Sequence, residues 1–143
     1  MTAVPMREVL LHGSADESFD RSVAFARRLA ESFGARLHVV YTVPEPLDAG
    51  WTAEVSVERL PEVHQAIEEE ARDRLARMIP LEEQDRLGIQ LVIRLGPEER
   101  EVVLYADEHP IDLAIVQAPA GERNTSLAQA LLEHGRCAVL VLR

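Results

Sequence analysis

Lysine is missing from this 143-residue chain, whose 15 basic residues are all arginine. Without a lysine amine, neither Schiff-base formation nor a lysine general base is available. Cysteine is almost missing too: Cys137 stands alone, which excludes an internal disulfide and gives no case for secretion. No apolar run reaches the length a bilayer requires. The N-terminus lacks the basic patch and apolar stretch of a signal peptide. The expected compartment is therefore the cytoplasm, with no membrane association. Positive charge is scarce, since 25 acidic side chains leave a formal net charge of −10. Nucleic-acid affinity depends on arginine and lysine meeting phosphate, so no nucleic-acid partner is expected.

What remains is ordinary for a soluble globule: hydrophobic residues make up 47 % and charged residues 28 %. The length fits one domain over residues 1–143. Short apolar runs alternate with amphipathic stretches, the pattern of βαβ units. Val9–Leu11 reads as a first strand and Leu37–Val43, rich in β-branched and aromatic residues, as a second. Ile89–Leu95, Leu113–Val116 and Cys137–Leu142 give three more. Between the first two, Asp16 or Ser18 is placed to cap a helix running to about Phe33. Its expected buried stripe is Val23, Ala26, Ala30 and Phe33, and Gly34 ends it. A second helix starts at Pro61 and carries Val63, Ile67, Ala71, Leu75 and Met78. A turn closes at Leu87-Gly88; a third helix follows Gly96-Pro97 and stops before Pro110. Asn124 or Thr125 caps a last helix through Leu127, Leu131 and Leu132, ended by Gly135. The stretch between Pro44 and Leu60, with Trp51, shows no period and reads as a loop over one sheet end. The expected fold class is α/β, a five-stranded parallel doubly wound sheet with right-handed crossovers. Ligands in such sheets sit beyond the carboxyl ends of the strands, where strand order reverses.

At this point the residues resemble a known family. Val9-Leu10-Leu11-His12-Gly13-Ser14-Ala15-Asp16, followed by Ser22-Val23-Ala24-Phe25-Ala26, lies without gaps on the opening of the universal stress proteins. Ala35-Arg36-Leu37 is similar to the approach to their second strand, and Gly96-Pro97 to the loop before a later helix. Pro110-Ile111-Asp112-Leu113-Ala114-Ile115-Val116 and Cys137-Ala138-Val139-Leu140-Val141 resemble the family's A-D-L-I-V-V-G and C-P-V-L-V-V segments. The resemblance implies an adenine nucleotide α-hydrolase-like fold with strand order 3-2-1-4-5 and a switch point between strands 1 and 4.

Nucleotide-binding members carry an Asp after strand 1 and G-x2-G-x9-G-[ST] after strand 4. A residue without Cβ lets backbone N–H groups approach phosphate, and a helix N-terminus adds a favourable dipole. In this chain the Asp position is Ser14, the glycine positions are Gln117, Ala120 and Thr125, and only Ser126 keeps its type. The connection Gly121–Asn124 is shorter than the family's. A Gln side chain fills phosphate space and Glu122 repels phosphate, while Arg123 and the N–H groups near Thr125 keep weak anion contact open. The degenerate candidate pocket is thus Ser14, Gln117, Arg123, Asn124, Thr125 and Ser126, with no cofactor expected and no catalytic or metal residues assigned. The other candidates have plainer readings. His134 with Cys137 suggests a nucleophile pair, but a Cys on an apolar strand usually behaves as a small hydrophobe. His64 and Glu68 lack further ligands for a metal. The Glu98-Glu99 pair suits a helix N-terminus. His12 and His38 read as satisfied sheet residues.

The resemblance puts the last strand at a sheet edge, yet Ala138, Val139, Leu140, Val141 and Leu142 are apolar on both faces. Exposed edges of that kind invite pairing. The expectation is a homodimer joined through these five residues across a two-fold axis, as the family's members form. The functional expectation is a non-catalytic stress-response protein working through protein partners. The alternative is a divergent adenine-nucleotide switch or slow ATPase.

Overall fold

Alternation along the strands decides which side chains meet which helices. The computed structural model describes residues 6–44, 60–118 and 126–143. Its elements run β1 (Glu8–Gly13), α1 (Phe19–Phe33), β2 (Arg36–Val43), α2 (Leu60–Met78), α3 (Leu81–Leu87), β3 (Gln90–Leu95), α4 (Glu98–Glu108), β4 (Leu113–Gln117), α5 (Ser126–His134) and β5 (Ala138–Leu142). All pairings are parallel and the sheet order is β3-β2-β1-β4-β5, so the chain reverses direction across the sheet between β1 and β4.

Successive strand side chains point to opposite faces. On one face Val9, Leu11, Leu37, Val39, Leu113 and Ile115 pack under α1 and α2, which supply Phe19, Val23, Ala26, Ala30, Ala71 and Leu75. On the other, Leu10, Val40, Ala114 and Val116 pack under Val102 and Tyr105 of α4 and Leu127 and Leu131 of α5. Burial on both faces explains why β1 and β4 read as unbroken apolar runs. A polar chain crosses the α4 face at the N-terminal end of the sheet. Buried His38 sits 2.6 Å from the Tyr105 hydroxyl through Nδ1 and 2.8 Å from Glu8 Oε2 through Nε2. His38 is thereby satisfied at both ring nitrogens.

Helix ends follow the sequence signals. Gly34 adopts φ +62°, its N–H donating to Glu31 O and the Ala35 N–H to Ala30 O, a Schellman closure. Two expectations are corrected. Residues 81–87 form a helix where a turn was expected. It begins behind Pro80, carries Glu82 and Glu83 in its first turn and Arg86 in its last, and ends at Gly88 with φ +65°. None of its residues is buried, so there was no apolar stripe for periodicity to detect. Phe33 and Leu132, assigned to buried stripes, are 59 % and 68 % exposed. Each holds a helical spacing from core neighbours but lies past the edge of the contact face. Trp51 and the loop around it lie outside the described residues.

Candidate functional site

The crevice beyond the carboxyl ends of β1 and β4 is a cleft of about 220 Å³, lined among others by His12, Ser14, Asp16, Gln117 and Ser126. Of the six residues named for the degenerate pocket, Ser14, Gln117 and Ser126 therefore meet in one cavity. Arg123, Asn124 and Thr125, with Ala120 and Glu122, lie outside the described residues.

The loop from β1 to α1 forms one wall. A Cβ on Gly13 would overlap the ring of Phe19, so the glycine lets that ring pack directly under the strand end. Phe19 meets Tyr41 edge-on at 5.3 Å between ring centroids. Arg74 of α2 reaches over this wall. Its guanidinium donates to Asp16 O at 2.8 Å and Ser14 O at 3.4 Å, contacts the Asp20 carboxylate at 3.3 Å, and lies 5.0 Å above the Phe19 ring. The Asp16 carboxylate accepts the Ser18 N–H at 2.6 Å, and hydrogen bonding from Ser18 holds its pKa below the usual value. Ser18 occupies the N-cap but makes no side-chain cap bond, so the expected capping role is corrected to a fold within the loop.

Gln117 spans the cleft. Its side chain lies on the α1 face at the end of β4, where Ser22 Oγ approaches Oε1 at 2.5 Å and Nε2 donates to Leu142 O at 3.2 Å. The carbonyl of Leu142 fixes the amide orientation, because the flipped form would set two acceptors against each other. The side chain is thus tied to α1 on one side and β5 on the other, across the position where a glycine would leave backbone open.

The opposite wall is acidic. His12 is buried, with Nε2 2.7 Å from Thr42 Oγ1 and 3.5 Å from Glu98 Oε2. Burial lowers its pKa from 6.5 to about 4, against the raising influence of Glu99 and Asp16, so the ring is neutral at physiological pH. Burial pushes the Glu98 carboxyl up, with Glu99 and Asp16 adding to the shift. Ser126 Oγ donates to Glu99 Oε1 at 2.7 Å and holds that carboxyl down. Besides their place in the first turn of α4, Glu98 lies beside His12 and Glu99 accepts from Ser126. Period-2 alternation from Leu10 would have placed His12 on the α4 face, but nothing in the sequence aligned it with Glu98. None of the described lining residues is cationic at neutral pH. A phosphate entering here meets the Asp16 and Glu98 carboxyls, while the Arg74 guanidinium that reaches over the first wall is already engaged by Asp20 and by the Ser14 and Asp16 carbonyls.

The remaining sequence candidates gain no chemistry. Burial raises the Cys137 thiol pKa, which disfavours the reactive thiolate. His134 is exposed beside Glu133 and paired with no cysteine. Glu68 accepts from Arg72 one turn on, as in an ordinary solvated helix face. Among the described residues no metal-binding group of His, Cys, Asp and Glu occurs, and no helix is long and apolar enough to cross a membrane. β5 takes the sheet edge, with Ala138 and Val141 exposed and Val139, Leu140 and Leu142 half-buried.

Known proteins share this fold. The chain is similar in fold to the universal stress protein UspA from Lactobacillus plantarum, with a TM-score of 0.72 and 18 % identity over 99 % of this chain and 100 % of that one. A universal stress protein family member from Burkholderia pseudomallei gives 0.64 and 21 %, covering 99 % and 98 % of the two chains. A universal stress protein solved in complex with cAMP gives 0.61 and 19 %, covering 96 % of each. No curated protein matches the chain in sequence. The sequence profile of the universal stress protein family matches residues 9–143, nearly the whole chain. With the strand order and that match in agreement, the chain belongs to the universal stress protein family.

Proposed function

We propose that this chain is a non-catalytic, dimeric stress-response protein that acts through protein partners and does not bind ATP tightly. The observation that carries the reading is Gln117, whose amide ties α1 to β5 across the place a phosphate would need. The acidic lining adds to it: Asp16 and Glu98 line the cleft with a neutral His12. Among the described residues no arrangement of nucleophile, base and orienting group accompanies them, and burial disfavours the reactive thiolate of Cys137.

A second reading is supported by relatives. One similar structure is a complex with cAMP and another, from Archaeoglobus fulgidus, is a complex with dAMP. Beside the cleft, Ser14 also borders a hollow of about 470 Å³ lined by Thr42, Pro44, Gly96 and Glu98. On this reading the chain is a divergent adenine-nucleotide switch or slow ATPase. The fate of the melting temperature in Mg-ATP separates the two readings.

Dimerisation rests on β5. An edge strand presents unpaired N–H and C=O groups, and this one carries no charge or proline within Ala138–Leu142. A two-fold partner aligning its own β5 would satisfy both rows. Size-exclusion chromatography with light scattering at micromolar concentration should return twice the chain mass. Val141→Arg, at a side chain 39 % exposed, should return the single mass with the fold intact. A monomeric parent protein would remove the dimer from the account.

A further inference from the structure

One edge of α1 is apolar and open. Phe25, Leu29 and Phe33 stand at i, i+4 and i+8, which puts them in a row along the helix. Phe25 is 40 % and Phe33 59 % exposed, and with Arg28 and Ser32 the three line a shallow groove of about 340 Å³. The core uses only the middle of this row: Leu29 packs half-buried against it, whereas Phe25 and Phe33 stand outside the face on which α1 buries Phe19, Val23, Ala26 and Ala30. Single exposed apolar residues need no explanation, whereas a contiguous row on a soluble protein marks a contact surface.

The charges beside the row point to its occupant. Arg21 and Arg28 lie four residues before and three after Phe25, so they flank it on the helix surface, and both are exposed. Among the described residues neither guanidinium has an ion-pair partner. The acids of α1 sit on the opposite edge and are engaged there: Asp20 with Arg74, and Glu31 with Arg27. A chain of net charge −10 thus holds, among its described residues, two unpaired cations beside an exposed apolar row. We propose that this edge of α1 docks an acidic, amphipathic helical segment of a protein partner. Apolar side chains one turn apart on that segment pack against Phe25, Leu29 and Phe33, and carboxylates beside them meet Arg21 and Arg28.

A helical segment fits better than a membrane. Its carboxylates meet only the local field, which salt confines to about 8 Å at physiological ionic strength. An anionic bilayer is an extended plane and faces the acidic remainder of the protein as well. The proposal rests on the reading that the chain works through partners. That reading falls separately if Mg-ATP raises the melting temperature, whatever the docking surface does.

The test uses the full chain and a fluorescein-labelled synthetic helical peptide with Leu at i, i+4 and i+8 and Glu at the flanking positions. Its control carries Lys in place of Glu. Fluorescence anisotropy should show saturable binding of the Glu peptide that weakens as salt rises. The Lys peptide, and the Glu peptide against Phe25→Ser or Arg28→Glu, should each bind at least about tenfold more weakly, as loss of an anchor or a charge partner requires. Both substitutions are at exposed positions, so the variants keep the parent fold. Failure of the Glu peptide to bind, or equal binding to all variants, overturns the proposal. Sedimentation of the protein with anionic phospholipid vesicles, without peptide binding, overturns it in favour of a lipid surface. Phe25→Ser halving the mass in light scattering overturns it in favour of a second copy of the chain.

Discussion

Phe19→Ala should remove about 3–5 kcal/mol of stability, the range for deleting a buried aromatic from a packed core. Phe19 is 2 % exposed, meets Tyr41 edge-on and lies under the Arg74 guanidinium. Deleting it costs the transfer energy of the ring, the edge-to-face and cation–π contacts, and the contacts of the cavity left behind. A domain of this kind is stable by about 5–15 kcal/mol, so the variant should unfold at much lower urea. Phe19→Leu keeps most of the volume and should cost under about 1.5 kcal/mol. Phe33→Ala, at an exposed position on the same helix, should stay within about 0.5 kcal/mol. Urea titrations of the three variants check the order. A loss below about 1 kcal/mol for Phe19→Ala would mean that the ring does not floor the cleft wall.

Acidification should destabilise the protein well above the range where carboxylates titrate, and His12 is the cause. Its pKa falls from 6.5 in an open chain to about 4 in the fold. The folded state therefore binds fewer protons than the unfolded state between these values, and stability rises with pH across that window. The contribution is complete above about pH 6.5 and is lost as pH falls towards 4. Between pH 7 and pH 5 the loss from this one group should be about 2 kcal/mol. Glu98 acts in the opposite direction: its raised pKa means that protonation relieves its burial, which softens the decline. Asp16 and Glu99, held below their usual values, add their losses only at lower pH. His12→Asn removes the titrating ring and should flatten the difference between the two pH values. Chemical denaturation of both proteins at pH 7 and pH 5 gives the comparison, and an unchanged difference in the variant would place the pH dependence elsewhere.

Much of the fold was legible because a parallel sheet covered on both faces writes itself into the sequence. Runs such as Val9–Leu11 and Leu113–Val116 need no polar alternation, and Gly34 and Gly135 punctuate the helices before β2 and β5. The strand order came from the resemblance, since periodicity does not state which strands are neighbours. Residues 81–87 were missed because an exposed helix held by Pro80, its charged turns and Gly88 has no buried stripe. Phe33 and Leu132 were misplaced because helical spacing does not say where a contact face ends.

The site was legible only in part. Gln117 was identified by its departure from the family's glycine, but its partners Ser22 and Leu142 are 95 and 25 residues away in sequence. The same holds for Arg74, which reaches back 60 residues to the Ser14 carbonyl, and for the approach of Glu98 to His12. Such contacts depend on the packing of α2 and α4 against the sheet, which no local pattern records.

The proposal that this crevice does not hold ATP tightly is tested most directly by one measurement. The melting temperature is compared with and without millimolar Mg-ATP. A ligand present at about 100 times its dissociation constant stabilises a fold by about 2.7 kcal/mol, a shift of several degrees for a chain of this size. With Gln117 tied to Ser22 and Leu142 and the Asp16 and Glu98 carboxyls lining the same cleft, no shift is expected. A shift of several degrees would contradict the proposal, showing that the Gln117 bridge opens and that the chain works as a nucleotide-dependent switch.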